Sequence, residues 1–105
     1  MSAPQPVFRA LADPTRRDIL LLLRTRDMTI AEVAENFDMT RAAVKKHLII
    51  LAEGGLIMMQ RRGRETINLL DPMGMTPAVD WLEYFDRYWD GRLAALKSAI
   101  EKENS

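Results

Sequence analysis

The 105-residue chain has no cysteine, a single histidine, only three serines and no net charge. Without cysteine there is no disulfide framework, no thiolate metal site and no cysteine nucleophile. The serines (Ser2, Ser98 and Ser105) stand toward the ends and the one histidine, His47, lies beside lysines. No pairing of nucleophile and base is visible, so the chain does not read as an enzyme. No apolar run exceeds five residues, as in ILLLL at 19–23, far short of the ~20 that a membrane-spanning helix needs. The N-terminus also lacks the basic, apolar and small-residue pattern of a secretory signal. With a hydrophobic share of 48% and a charged share of 29%, these absences describe one small soluble domain, cytoplasmic and without a membrane partner.

The neutral total conceals an uneven distribution. Residues 1–70 hold eleven basic side chains against eight acidic ones, and residues 71–105 hold four against seven. Between 41 and 64 the basic residues are Arg41, Lys45, Lys46, Arg61, Arg62 and Arg64, opposed only by Glu53. A local balance of +5 is an electrostatic footprint suited to a polyanion. Most charged helix faces are simply solvated, so the surrounding elements must decide what this one does.

MSAPQP, residues 1–6, has two prolines and no periodicity and reads as a disordered lead-in. Val7, Phe8, Ala10 and Leu11 predict a short amphipathic helix. Asp13-Pro14 opens a second helix, with Asp as cap and Pro in the first turn, running to about Arg24. Thr29-Ile30-Ala31-Glu32 matches a capping box, and Ile30, Val33, Ala34 and Phe37 recur on one helical face. Thr40 then caps TRAAVKKHLIIL, whose Val44, Leu48 and Leu51 point inward and which Gly54-Gly55 stops. Two helices joined so tightly form a helix-turn-helix. LIMMQ and ETINLL flank Arg61-Arg62-Gly63-Arg64 as a β-hairpin, with Gly63 at the turn and Ile67 and Leu69 on a half-buried face.

Thr76-Pro77 starts a final helix running to roughly Lys102. Val79, Leu82, Phe85, Trp89, Leu93, Leu96 and Ile100 recur at intervals of three or four, and Trp81, Tyr84 and Tyr88 form a second stripe. So wide an apolar face on a helix about 39 Å long needs more partner surface than a domain of this size offers. Homodimerisation through the terminal helices follows, with Phe8 and Leu11 joining Leu82, Phe85, Trp89, Leu93 and Leu96. Gly91 marks either a bend or a close helix crossing. The aromatic stripe is read first as dimer core and second as an enclosure for a small-molecule inducer. The seven methionines are read as gap fillers and not as soft-metal ligands.

Together, ALADPTRRDILLLL, TIAEVAENFDMTRAAVKKHLIILAEGGLI and RRGRETINLLDP resemble the ArsR-type winged helix-turn-helix transcription regulators, over about residues 7–72. WLEYFDRYWDGRLAAL is similar to the terminal dimerisation helix of a subgroup without metal ligands. The resemblance implies a dimeric repressor that binds operator DNA and is released by an inducer. Metal-sensing members carry Cys-x-Cys near the start of the third helix, where this chain has Thr29, Ile30 and Ala31. Others hold zinc between terminal helices through Asp, His and Glu, and here that helix has no histidine. No metal or other cofactor is expected. The second helix of the motif also departs, with Thr40-Arg41 in place of a common Ser-Gln and Lys45 in place of a common serine, so the operator sequence is not carried over.

The expected fold is mainly α with a small β-hairpin, a winged helix-turn-helix. Residues 1–6 are its lead, 7–72 its DNA-binding domain and 73–105 the dimerisation helix of that same domain. In such a fold the second helix enters the major groove, which assigns Thr40, Arg41, Lys45, Lys46 and His47 to double-stranded DNA. Arginine reads guanine bidentately and lysine sits as readily on phosphate; for His47, packing at a helix junction competes with contact. Arg61, Arg62 and Arg64 follow the backbone or enter a narrow minor groove. Arg16 and Arg17 are open between DNA backbone and internal pairing. The alternative function is a winged-helix protein-interaction module that dimerises without regulating DNA.

Overall fold

Asp13 separates the first two helices of the computed structural model, which describes residues 4–103. Helix α1 (Gln5–Leu11) ends there, and the Asp13 carboxylate accepts a hydrogen bond from the Arg16 amide at 3.1 Å, capping α2 (Pro14–Leu23). Gln5 and Pro6 form the first turn of α1, so the helix begins inside the expected lead-in. A proline costs little there because first-turn amides have no helical acceptor. Residues 1–3 of that lead-in lie outside the described residues.

A two-residue strand, β1 (Met28–Thr29), runs straight into α3 (Ile30–Ala34). The capping box closes both ways: the Glu32 amide donates to the Thr29 hydroxyl at 3.1 Å, and the Thr29 amide to the Glu32 carboxylate at 3.0 Å. Because α3 stops at Ala34, Phe37 reaches the margin of the core from the following turn, and Val33 is the fully buried member of the predicted face. The Thr40 hydroxyl accepts from the Ala43 amide at 3.1 Å and opens α4 (Arg41–Glu53), which drives Val44, Leu48 and Leu51 inward against Ile19 and Leu23 of α2. Past Gly54-Gly55, the Leu56 amide donates to the Leu51 carbonyl and closes the helix end.

β2 (Ile57–Arg62) and β3 (Glu65–Leu70) pair antiparallel, and β1 adds to the other side of β3, giving the order β1-β3-β2. Two residues are too few to display alternation, which is why the sequence shows only the hairpin. The inner face of β3 is also the reverse of the one its apolar residues mark. Asn68 is fully buried, whereas Ile67 and Leu69 are only partly so. Its Nδ2 donates to the Met28 carbonyl at 3.2 Å, so a polar side chain fastens β1 to the sheet.

After β3 the backbone passes hard against the end of α4. A Cβ on Gly74 would overlap the Gly55 carbonyl oxygen and stand 2.9 Å from the Leu56 Cα. Both obstacles are main chain, so Gly74→Ala should destabilise the fold by about 1–3 kcal/mol. A lower denaturant midpoint at unchanged slope would report that loss.

The last predicted helix is two: α5 (Thr76–Glu83) and α6 (Asp86–Glu103). The interruption falls at Tyr84-Phe85, where the Phe85 amide reaches back only three residues to the Leu82 carbonyl. Trp81 stacks on Tyr84 there and meets Phe85 edge-on, with 5.1 Å between centroids. Gly91 lies within α6 without interrupting it, and nothing in the chain approaches the place of its missing Cβ. α5 buries Ala78, and its Trp81 sets its ring edge-on to Phe8 of α1. α6 buries nothing. The radius of gyration is 18.8 Å, against about 13 Å for a compact domain of this length; α6 projects as an arm.

Candidate nucleic-acid interface

With Val44, Leu48 and Leu51 turned into the core, helical geometry turns residues 42, 45, 46 and 49 outward, and Arg41, though three residues before Val44, is exposed as the first residue of the helix. Arg41, Lys45 and Lys46 are exposed there, and so are Ala42 and Ile49. Charge alone does not mark those two; their position opposite a completed inward stripe does. The Thr40 hydroxyl accepts at the helix cap and keeps its own O–H as a donor.

His47 does not share that face. Its side chain is 21% exposed and turned toward α2, with Nδ1 3.3 Å from an Arg16 guanidinium nitrogen and 3.9 Å from the Asp13 carboxylate. A guanidinium only donates, so Nδ1 is the acceptor. Arg16 also donates through Nε to the Ala10 carbonyl and through Nη2 to the Arg9 carbonyl, both at 2.9 Å, while Arg17 donates to the Leu11 carbonyl at 2.7 Å. Closing carbonyls of a helix lack i+4 amide donors; here the Ala12 amide reaches only the Arg9 carbonyl, at 3.3 Å, and two arginines of α2 donate to all three. Arg16 and Arg17 thus hold α1 to α2, and Arg16 extends the link to α4.

The Arg16 amide at this junction holds the Asp13 carboxyl below its ordinary 3.8, working against partial desolvation and aided by the Arg16 charge. The Thr29 amide, followed by the Arg26 guanidinium at 2.7 Å, lowers Glu32 in the same way. A carboxylate whose pKa falls on folding stabilises the fold fully above its unfolded value and loses that contribution as pH drops through the folded one. Thermal midpoints should therefore decline on the strongly acidic side. Asp13→Asn, which keeps a capping oxygen but cannot titrate, should make that decline shallower.

At the hairpin tip β2 and β3 are joined by Gly63-Arg64, with Arg62 opposite Glu65. Gly63 takes φ +63° and Arg64 does not go positive, the type II′ arrangement whose twist suits the flanking strands. Arg61, Arg62 and Arg64 surround this turn and are exposed. Arg61 Nε donates to the Gly63 carbonyl at 3.0 Å and Arg62 Nη2 to Gln60 Oε1 at 3.3 Å. None of the three, nor Arg41, Lys45 or Lys46, forms an ion pair among the described residues.

The residues expected at a dimer contact divide into two groups. Phe8 and Leu11 pack partly into the margin of their own core, and Phe85 is half-buried beside Trp81. Leu82, Trp89, Leu93 and Leu96 are each more than half exposed along α5 and α6. Among the described residues, no group of His, Cys, Asp and Glu is placed to hold a metal ion, and no helix is long and apolar enough to cross a membrane.

A family model described as a helix-turn-helix domain matches residues 11–60. The transcriptional repressor SdpR of Bacillus subtilis is 34% identical over 87 residues, spanning 83% of this chain and 97% of its own. The HTH-type transcriptional regulator Rv2034 of Mycobacterium tuberculosis is 31% identical over 101 residues, spanning 96% and 92%. Among solved structures, an ArsR-like transcriptional regulator from Rhodococcus sp. RHA1 superposes with a TM-score of 0.73 at 33% identity, covering 91% of each chain. The likeness runs through α2, the helix-turn-helix and the hairpin alike, and spans nearly the full length of these relatives. On these grounds the chain belongs to the ArsR-type winged helix-turn-helix transcriptional regulators.

Proposed function

We propose that the protein is a homodimeric repressor that binds an imperfect palindrome in double-stranded DNA. The supporting observation is the set of six exposed cations on α4 and the hairpin tip, none neutralised by an acidic neighbour among the described residues. With α4 in the major groove, Arg41 reads guanine O6 and N7 with paired hydrogen bonds, and Ala42 lies against a thymine methyl. Lys45, Lys46 and the Thr40 hydroxyl meet phosphates. His47 stays behind this surface and acts on it by positioning α4 through Arg16. The wing arginines follow the backbone or occupy a narrow minor groove. Two copies related by a two-fold axis read half-sites about 34 Å apart, and the occupied site is closed to polymerase. The name of the B. subtilis relative, a transcriptional repressor, supports this direction of control. The site of action is the cytoplasmic nucleoid.

The test is footprinting and titration of duplex from the region upstream of the protein's own gene, at low and raised salt. Protection of two half-sites about one helical turn apart is expected. Arg41→Ala should cost about 1–3 kcal/mol and relax base choice at one position of each half-site. Absence of binding even at low salt would leave the protein-interaction module as the function.

A further inference from the structure

His47 sits in the middle of α4, directly after Lys45 and Lys46, yet its ring turns to α2. It is the chain's single histidine and there is no cysteine, so it is the one side chain of a type that ordinarily titrates between about pH 5 and 8. Opposed charges meet its Nδ1: Arg16 Nη1, a donor, at 3.3 Å and Asp13 Oδ2, an acceptor, at 3.9 Å. Among the described residues these are its hydrogen-bond and ion-pair partners. Other charged side chains on the elements packed against α4 are engaged elsewhere. Arg9 of α1 pairs with Glu53 at 3.7 Å, and Glu32 of α3 is taken up by Thr29 and Arg26. Arg17 and Asp18 of α2 lie on its side toward Asp71 and Met75, while Arg61 and Arg62 of β2 bond Gly63 and Gln60 at the hairpin tip.

We propose that His47 makes operator binding sensitive to protons: the neutral ring fastens α4 through Arg16, and protonation breaks that link and releases the DNA. This rests on the repressor reading and adds how the same surface is regulated. A proton on Nδ1 ends its acceptance from Arg16, sets a second cation against the guanidinium and turns the ring to Asp13. Asp13 is ready for the exchange, because the Arg16 amide holds its carboxyl below the ordinary 3.8 and so keeps it ionised. Arg16 is poorly placed to yield, since Nε and Nη2 are committed to the Ala10 and Arg9 carbonyls at 2.9 Å. The displacement falls on α4 and passes directly to Lys46 and Lys45. Where binding requires the neutral ring, affinity follows the neutral fraction, which drops about tenfold one pH unit below imidazole's ordinary 6.5. An imidazolium seated on a phosphate would act with the opposite sign and strengthen binding on acidification.

The test is an anisotropy titration of duplex from the region upstream of the protein's own gene, at one low salt concentration and at about pH 7.5 and 5.5. Circular dichroism and sedimentation at both values follow fold and assembly. Affinity should fall about five- to tenfold at the lower pH while fold and assembly hold. His47→Gln, whose amide oxygen accepts from Arg16 but takes up no proton, should keep its two affinities within about twofold of each other. Asp13→Asn keeps the cap and withdraws the acceptor of the imidazolium, and should push the fall to lower pH. Reciprocally, the one imidazole signal in the proton spectrum should titrate at lower pH with duplex bound than without it. A profile that is flat or rises on acidification overturns the inference and leaves the repressor standing. So does a fall that His47→Gln retains, or one that tracks unfolding or dissociation. Absence of binding at the higher pH overturns the repressor reading and this inference with it.

Discussion

Replacing Arg61, Arg62 and Arg64 together by alanine should weaken binding to every duplex alike and flatten its dependence on salt. Each phosphate left without its cation removes about 0.9 from the slope of log K against log salt, so three per wing amount to roughly 10²-fold in affinity near 0.15 M. The three side chains are exposed, and Gly63 keeps its place in the turn, so the hairpin should persist and thermal unfolding should hardly move. Anisotropy titrations at several salt concentrations, with the operator and with a scrambled duplex, separate this outcome from that of Arg41→Ala. Arg41→Ala should penalise the operator more than the scrambled sequence. An unchanged salt slope in the triple variant would put the wing off the DNA altogether.

Leu93→Glu combined with Leu96→Glu should abolish the dimer and reduce operator binding to the level of a single half-site. In one chain these residues are 61% and 57% exposed, so the substitutions remove nothing from the fold of the domain itself. In a dimer they become four buried leucines, each worth about 1.5–3 kcal/mol. Their loss raises the dissociation constant by about 10⁴-fold or more, before the cost of burying carboxylates is added. Sedimentation equilibrium reads the first effect and footprinting the second. A variant still dimeric at micromolar concentration would show that the arm is not the contact.

Local features of this fold are legible from sequence, because a cap is a bond between a side chain and an amide three residues away. Asp13, Thr29 with Glu32, and Thr40 each stand at the helix start they mark. The exposed fate of Lys45 and Lys46 follows in the same way from the inward stripe Val44-Leu48-Leu51, and that of Arg41 from its place at the start of α4. What depends on distant chain is not legible. Asn68 is buried because β1, forty residues earlier, lies across it, and without knowledge of β1 the alternation of Ile67 and Leu69 points to the wrong face. Gly74 looks like an ordinary loop glycine until the end of α4 is seen against it. The break at Tyr84-Phe85 coincides with the Trp81 ring cluster, whereas Gly91, the residue of poorest helix propensity, interrupts nothing. Within the site, the sequence leaves Arg16 and His47 open between DNA and internal contacts, and only the carbonyls at the end of α1, placed beside Arg16, turn both inward. Ala42 and Ile49 pass unnoticed when charge is the only criterion.

A genetic screen for alleles that no longer repress would recover Arg16 alongside Arg41, although the Arg16 guanidinium faces inward onto α1 and His47. Losing that shared fastener lets the reading helix swivel against the rest of the domain, so both alleles silence the regulator for unrelated reasons. An inventory of inactive arginine mutants is therefore no map of proximity to nucleic acid. The mechanical defects would be those whose ionic-strength profile stays that of the parent.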